Sequence, residues 1–379
     1  MDFSWSEEQL EYKESALRFA RQELVFSPEC LRQEKFNRPG WEKCARYGIH
    51  GLPIPAAYGG SELDPLTTVL ILQTLGSACK DNGLLFAINA HIWGCEIPIL
   101  HYGTESQKRK FLPLLASGQK IGALAAAEPE AGSDAFSVKT VAKKEGNKYV
   151  LNGSKMFVTN GAEADVIVVL ASLDPAQGWR SLTTFLVEKT LPGYRVKPVE
   201  KMGLGSASMG EIFLEDCEVP EENRLGEEGA GSAVFNNAME WERSFILSSA
   251  VGTMERVLND CLEYSKLRYQ FGKPIGKNQL VSSKIVDMKL RLEAAQGFLY
   301  RVAWLRSQGK SVFAESAMLK LTISESWVKT CMDALQIHGG YGYLREYDYE
   351  RELRDAIGSQ LFSGTSEIQR NLIAQMMGL

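Results

Sequence analysis

One carboxylate breaks an otherwise apolar helical stripe in the last third of this 379-residue chain. Phe235, Ala238, Met239, Glu242, Phe245, Ile246 and Ser249 recur at i, i+3, i+4 and i+7, so they share one helix face. Burial in such a stripe pushes a carboxyl group toward a neutral pKa, as a general base requires. Glu240 lies two residues away and points to the other side, which makes it the weaker candidate. The competing reading is structural: Glu242 simply pairs with a buried arginine such as Arg243 or Arg268.

Four other stretches carry groups suited to holding a flat, phosphorylated ligand. Ala127-Glu128-Pro129-Glu130-Ala131-Gly132-Ser133-Asp134 reads as a strand end running into small residues, with the Ser133 hydroxyl as a donor. Lys155–Gly161 reads as a strand with Phe157 and Thr159 on one face, because residues two apart point together. Arg268–Ile275 interrupts two helices and offers a cation, an amide and a ring. Gln336-Ile337-His338-Gly339-Gly340 is a glycine-rich helix exit, and Ser363-Gly364-Thr365-Ser366-Glu367 opens the last helix. Both suit phosphate oxygens. Singly, each has a bland explanation: Gly-Gly as a C-cap, Asn-Gly as a turn, Met156 and Phe157 as core.

Other chemistries find little support. Gly203-Leu204-Gly205 and Gly229-Ala230-Gly231 each lack the third glycine of a dinucleotide fingerprint. The seven cysteines and four histidines are scattered without ligand spacing, so no metal site is expected, and the thiols read as reduced. A net charge of −5 gives no electrostatic case for nucleic acid, and Lys108-Arg109-Lys110 and Lys143-Lys144 read as solvated faces. The longest apolar stretches, such as Val166–Ser172, are strand-sized, which predicts no membrane span. The acidic opening Met1–Glu8 lacks the features of a signal peptide. A soluble, cytoplasmic protein is expected.

The elements that must position these groups fall into three blocks. Residues 1–118 read as an N-terminal helical domain, with Ser6 and Gln9 forming a capping box and helices over about Pro65–Ala78 and Thr104–Leu115. Residues 119–231 carry short β runs, with Gly146-Asn147 and Asn152-Gly153 as turns, the second a hairpin signal. This predicts a compact antiparallel barrel or sandwich. Residues 232–379 return to long helical segments near 232–265, 278–307, 312–337 and 366–377, lengths that suit a four-helix bundle. The fold class is α+β.

The order of these stretches resembles the acyl-CoA dehydrogenases over essentially the whole chain. His101–Lys108, Ala127–Asp134, Lys155–Gly161, Arg268–Ile275, Gln336–Gly340, Arg354-Asp355-Ala356 and Gly364–Gln369 carry the likeness. It implies a helical domain, a central β-barrel domain and a C-terminal helical bundle, assembled as a homotetramer with FAD between domains. By position, Leu124, Ala126, Ala127, Ser133, Phe157 and Thr159 would touch the flavin. Arg268, Phe271, Gln279, Gln336, Gly339 and Gly340 would hold the adenine-diphosphate end of a neighbouring subunit's FAD, with Thr365 and Glu367 closing over it. Ser133, Arg243, Ser363 and Gly364 would meet the substrate. Many members have a hydroxyl where this chain has Ala127, which bears on flavin tuning.

Most members also carry their catalytic glutamate directly before Gly-Thr-Ser, where this chain has Ser363. Either catalysis is lost, leaving a binding protein, or the carboxylate comes from elsewhere. Isovaleryl-CoA dehydrogenase and some relatives are similar to Glu242-Arg243 in placing a glutamate before an arginine on this helix, which assigns Glu242 as the base. The sequence looks most like the carrier-protein-acting branch, which oxidises an L-prolyl thioester on an acyl or peptidyl carrier protein to a pyrroline. A short branched-chain acyl-CoA dehydrogenase acting on a CoA thioester is the alternative. Electron-transfer flavoprotein or O2 would reoxidise the flavin, and an acidic carrier would call for a basic rim at the pocket mouth.

Overall fold

The computed structural model describes residues 4–379; the opening Met1–Phe3 lies outside the described residues. Helix α1 (Glu7–Glu23) begins at the expected capping box, in which the Gln9 amide donates to Ser6 Oγ and the Gln9 side chain accepts from the Ser6 amide. The short α2 (Pro28–Arg32), then α3 (Arg38–Tyr47) and α4 (Pro65–Ala78) follow. Next come α5 (Asn82–His91), a wider π-turn (Ile92–Glu96), α6 (Ile97–Tyr102) and α7 (Glu105–Ala116), which Thr104 caps.

The segment Asn82–Tyr102 corrects the expectation that every apolar stretch is strand-sized. It is 21 residues long and apolar enough to span a membrane by length and composition, yet 94% of its most apolar window is buried inside the protein. An all-round apolar helix has no stripe to betray it in the sequence, because every face meets protein.

The central region is one eight-stranded sheet. Its strands are β1 (Gly122–Ala125), β2 (Val141–Glu145), β3 (Lys148–Thr159), β4 (Val166–Ser172), β5 (Leu182–Glu188), β6 (Tyr194–Pro198), β7 (Met209–Pro220) and β8 (Arg224–Leu225). The order is β6-β7-β3-β2-β4-β5-β8, with β1 added on β4. The β1–β4 and β2–β4 pairs are parallel, so the sheet is mixed where an antiparallel one was expected. Gly146-Asn147 does turn β2 into β3, but Asn152-Gly153 is no hairpin. It lies inside β3 at a register shift, with Asn152 exchanging two hydrogen bonds with Asp216. A Cβ on Gly153 would fall 2.7 Å from the Thr140 Cα, so glycine is required there by close approach.

The C-terminal region contains α8 (Gly231–Phe245), α9 (Ser248–Leu267), α10 (Gln279–Ser307), α11 (Phe313–His338), α12 (Tyr349–Gly358) and α13 (Ser366–Met376). The segment read as one helix over 232–265 is two, bent at Ile246-Leu247. A single apolar core joins the two helical regions, running from Trp41 and Leu72 to Val251, Leu299 and Trp327. Its tightest crossing is α4 on α9, where Cβ atoms on Gly76 and Gly252 would each fall 1.9 Å from a carbonyl oxygen of the facing helix. The basic clusters pair with carboxylates, Arg109 with Glu105 and Lys110 with Glu188 among them. All seven cysteines are free thiols; Cys30 is exposed and the other six are buried.

Candidate active site

Between the sheet and the C-terminal helices lies a cavity of about 550 Å³. Helix α8 presents Phe235, Met239 and Glu242 to it, and the loop before α13 adds Ser363, Gly364 and Thr365. Opposite stand Leu124 of β1, Ala126 and Ala127 just after it, Ser133 of the small-residue loop, and Phe157 and Thr159 of β3. Sequence reading thus found residues from four separate chain segments that fold onto one space.

Phe157 and Thr159 share this cavity for a reason other than simple alternation. The β3–β7 register shifts between Lys155 and Val158, and Phe157 sits in the left-handed region at φ 59°. That conformation costs an aromatic residue about 1–3 kcal/mol and leaves the ring 60% exposed in the cavity wall. Beneath it, Lys155 turns inward and is fully buried. Its ammonium lies 2.7 Å from Glu128 Oε1, and Glu128 also accepts from the Thr140 hydroxyl and the Lys139 and Thr140 amides. Burial alone would raise the Glu128 carboxyl, but the Lys155 charge and these hydrogen bonds hold it below the usual range. The pair pins the small-residue loop to β3, assisted by the Lys155 ammonium on the Ala126 carbonyl and the Met156 amide on the Ala127 carbonyl. The two residues lie in separate motifs of the sequence, and the pairing is not visible there. They are 27 positions apart, and nothing local marks them as partners.

The Glu242 carboxylate accepts the Ser363 hydroxyl at Oε1, 2.5 Å away. Burial raises its carboxyl above the usual range, while the Ser363 hydrogen bond and the charges of Arg243 and Lys320 pull it back. Pairing with arginine is not what the structure shows. Arg243 instead donates from Nε to the Ser363 carbonyl at 3.2 Å, and Arg268 lies over the Tyr341 ring. Arg243, expected to meet the substrate, sits behind the loop whose Ser363 and Gly364 line the cavity. Lys320 of α11, missed by the sequence reading, is fully buried and donates to the Gly364 carbonyl at 2.7 Å. Burial and the Arg243 charge bring its ammonium down to about 7. Gly94 of the π-turn was missed as well: a Cβ there would stand 3.6 Å from Glu242 Oε2. A wider helical turn at a site wall is a common functional device, but it leaves no pattern in the sequence. Glu240 faces elsewhere, accepting from the Val312 amide and Ser311.

The remaining expected ligand contacts lie apart. Arg268, Gly339 and Gly340 line a second cleft of about 430 Å³ with Tyr264 and Tyr341, sharing no residue with the first. Phe271, at the tip of the hairpin β9 (Tyr269–Gln270) and β10 (Lys273–Pro274), is 94% exposed, and Gln279 and Gln336 are exposed too. Glu367 is exposed on the first turn of α13, outside the cavity that Thr365 lines. Among the described residues, no cluster of histidine, cysteine or carboxylate groups could hold a metal.

The main cavity fits a flat aromatic ring system. It has an uncovered aromatic face at Phe157, small residues at Ala126 and Ala127, and hydroxyls at Ser133 and Thr159. Three family models match in series: the acyl-CoA dehydrogenase N-terminal domain over 6–119, the middle domain over 123–217 and the C-terminal domain over 229–378. The chain belongs to the acyl-CoA dehydrogenase family. An L-prolyl-(peptidyl-carrier protein) dehydrogenase of Serratia sp. is 40% identical, with 100% of this chain and 99% of that protein covered. The crystal structure of the prolyl acyl carrier protein oxidase AnaB is 53% identical at a TM-score of 0.97, covering 99% of this chain and 100% of AnaB. PigA, solved with FAD and proline, is 40% identical at a TM-score of 0.97, with 100% of both chains covered.

Proposed function

We propose that this member of the family is an FAD-dependent enzyme that oxidises an L-prolyl thioester on an acyl or peptidyl carrier protein to a pyrroline-carboxyl thioester. The observation that carries the chemistry is the Glu242 carboxylate, which opens onto the shared cavity with its pKa raised by burial and, among the described residues, no arginine hydrogen-bonded to it. The prolyl substrate is supported by the likeness to the Serratia enzyme and to AnaB.

In this reading Glu242 takes the α-proton of the prolyl group, and its desolvated surroundings make it basic enough to do so near neutral pH. FAD supplies the acceptor for the hydride that leaves the ring. Leu124, Ala126, Ala127, Ser133, Phe157 and Thr159 hold the flat part of that cofactor. Apolar walls at Phe86, Met239 and Phe362 exclude water around the carbon acid, which strengthens every charge interaction in the site. Lys201 and Arg354 are the cations in the lining, and Arg354 is ion-paired with Glu350 and Glu34.

The second cleft is assigned to the adenine-diphosphate end of FAD from a neighbouring copy. Exposed apolar side chains at Leu267, Phe271, Leu280, Val286 and Leu290 offer surface for that copy, and this reading takes the assembly as a homotetramer. Reoxidation falls to an electron-transfer flavoprotein or O2, and a cytoplasmic location accompanies this reading.

The test is to mix the purified flavoprotein separately with prolyl-loaded carrier protein and with isovaleryl-CoA and follow loss of the flavin absorbance. Bleaching by the prolyl carrier alone is expected. Bleaching by the CoA ester alone would replace this reading with a branched-chain acyl-CoA dehydrogenase.

A further inference from the structure

Ser363 stands in the left-handed region at φ 55°, followed by Gly364 at φ 88°. A non-glycine residue persists there only when its surroundings over-determine it, and three elements do so. Arg243 of α8 and Gln369 of α13 donate to the Ser363 carbonyl, at 3.2 and 3.0 Å. Gln369 and Lys320 of α11 donate to the Gly364 carbonyl, at 2.9 and 2.7 Å. Three helix-borne side chains, through four hydrogen bonds, thus fix one backbone turn, and the turn fixes one hydroxyl.

That hydroxyl points at Glu242. Its proton goes to Oε1, so this oxygen is committed to the protein. Oε2 accepts no hydrogen bond from the described residues and has Gly94 as a near neighbour, whose missing side chain leaves room beside it. We propose that Ser363 is a positioning residue: it holds Glu242 by Oε1 so that Oε2 alone faces the thioester and takes the α-proton. The inference rests on Glu242 being the base and deepens that assignment; it gives a role to the position at which most of the family carry the base itself.

Among the described residues, the charged groups around Glu242 leave the Ser363 hydroxyl as the only direct hydrogen-bonding partner of its carboxylate. Arg243 and Lys320 act at a distance, each spending its hydrogen bonds on the loop carbonyls, and Glu325 and Glu367 act on Lys320 in turn. Gly94, beside the carboxylate, brings no charge.

The experiment compares holoenzyme with Ser363→Ala by the pH profile of kcat/KM and by an infrared titration of the Glu242 carboxyl band, identified by its loss in Glu242→Gln. A donor to a carboxylate favours its ionised form. Its removal is therefore expected to move the acid limb and the infrared titration together to higher pH. On that limb the rate at fixed pH falls about tenfold, with KM little changed. Ser363→Asn, which tolerates the left-handed backbone and offers an N–H donor, is expected to restore part of the shift. An infrared titration and acid limb unmoved in Ser363→Ala would overturn the positioning role while leaving Glu242 as base. Unimpaired turnover by Glu242→Gln would instead remove the reading on which the proposal stands.

Discussion

Lys155 and Glu128 form an ion pair of 2.7 Å with the lysine side chain wholly buried and the glutamate nearly so. They sit under the loop that carries Ala126 and Ala127 to the cavity. The site wall is therefore fastened by charge, from inside the sheet. Removing one partner of a buried pair leaves the other uncompensated. We expect Lys155→Met to cost about 3–5 kcal/mol in urea unfolding. Replacing both, with Lys155→Met and Glu128→Gln together, is expected to recover part of that loss; a double variant as unstable as the sum of the singles would contradict the coupling.

Glu242→Gln keeps the size and most of the hydrogen bonding of the side chain but cannot take a proton. Turnover of the prolyl thioester is expected to fall about 10²–10⁴-fold, while flavin binding stays as in wild type. Stopped-flow bleaching against substrate concentration measures both the rate and the affinity.

Gly94→Ala probes the space beside the base. The new methyl would make ordinary contact with Leu124 at 3.4 Å and stand 3.6 Å from Glu242 Oε2, so folding should be unaffected. The substrate, however, loses that room. Unchanged thermal unfolding with a clear drop in kcat/KM is the expected pair of results, and Gly94→Val should deepen the kinetic loss.

Lys320 gives a pH signature. Burial holds its ammonium at about 7 in the folded protein, well below its ordinary 10.5. The folded state therefore sheds this proton before the unfolded chain does, and stability from this group rises as pH climbs between those values. In Lys320→Met the share of that rise due to this group should be absent, while Lys155, lowered by burial to about 8, keeps contributing above that pH. Thermal unfolding across this window, compared with wild type, reads it directly.

Gly153→Ala tests the bulge in β3. Alanine must adopt φ 151° and place its Cβ 2.7 Å from backbone, so a loss of about 2–3 kcal/mol is expected. Gly146→Ala, in the true hairpin turn at φ 64° with nothing within 4 Å, should cost about 1 kcal/mol. Equal losses at the two sites would mean that the close approach at Gly153 is easily relaxed.

Much of this was readable from residue order. Periodicity placed Glu242 in an apolar stripe, and turn residues and caps located α1, α4 and α7 closely. What escaped has a common cause. The bend at Ile246-Leu247 interrupts no periodic signal, because both of its halves are apolar. Asn152-Gly153 has the composition of a hairpin, but its glycine answers to Thr140 across the sheet. Lys320 and Arg243 act through loop carbonyls that sequence cannot bring near them. Local rules read local causes; these residues are set by long-range packing.

The thiols have a practical consequence. With six cysteines enclosed and Cys30 alone at the surface, a maleimide should mark the native protein once and rapidly. Each later adduct would then time the opening of a particular part of the interior. The chain carries its own set of clocks, from Cys217 in the sheet to Cys261 and Cys331 among the helices.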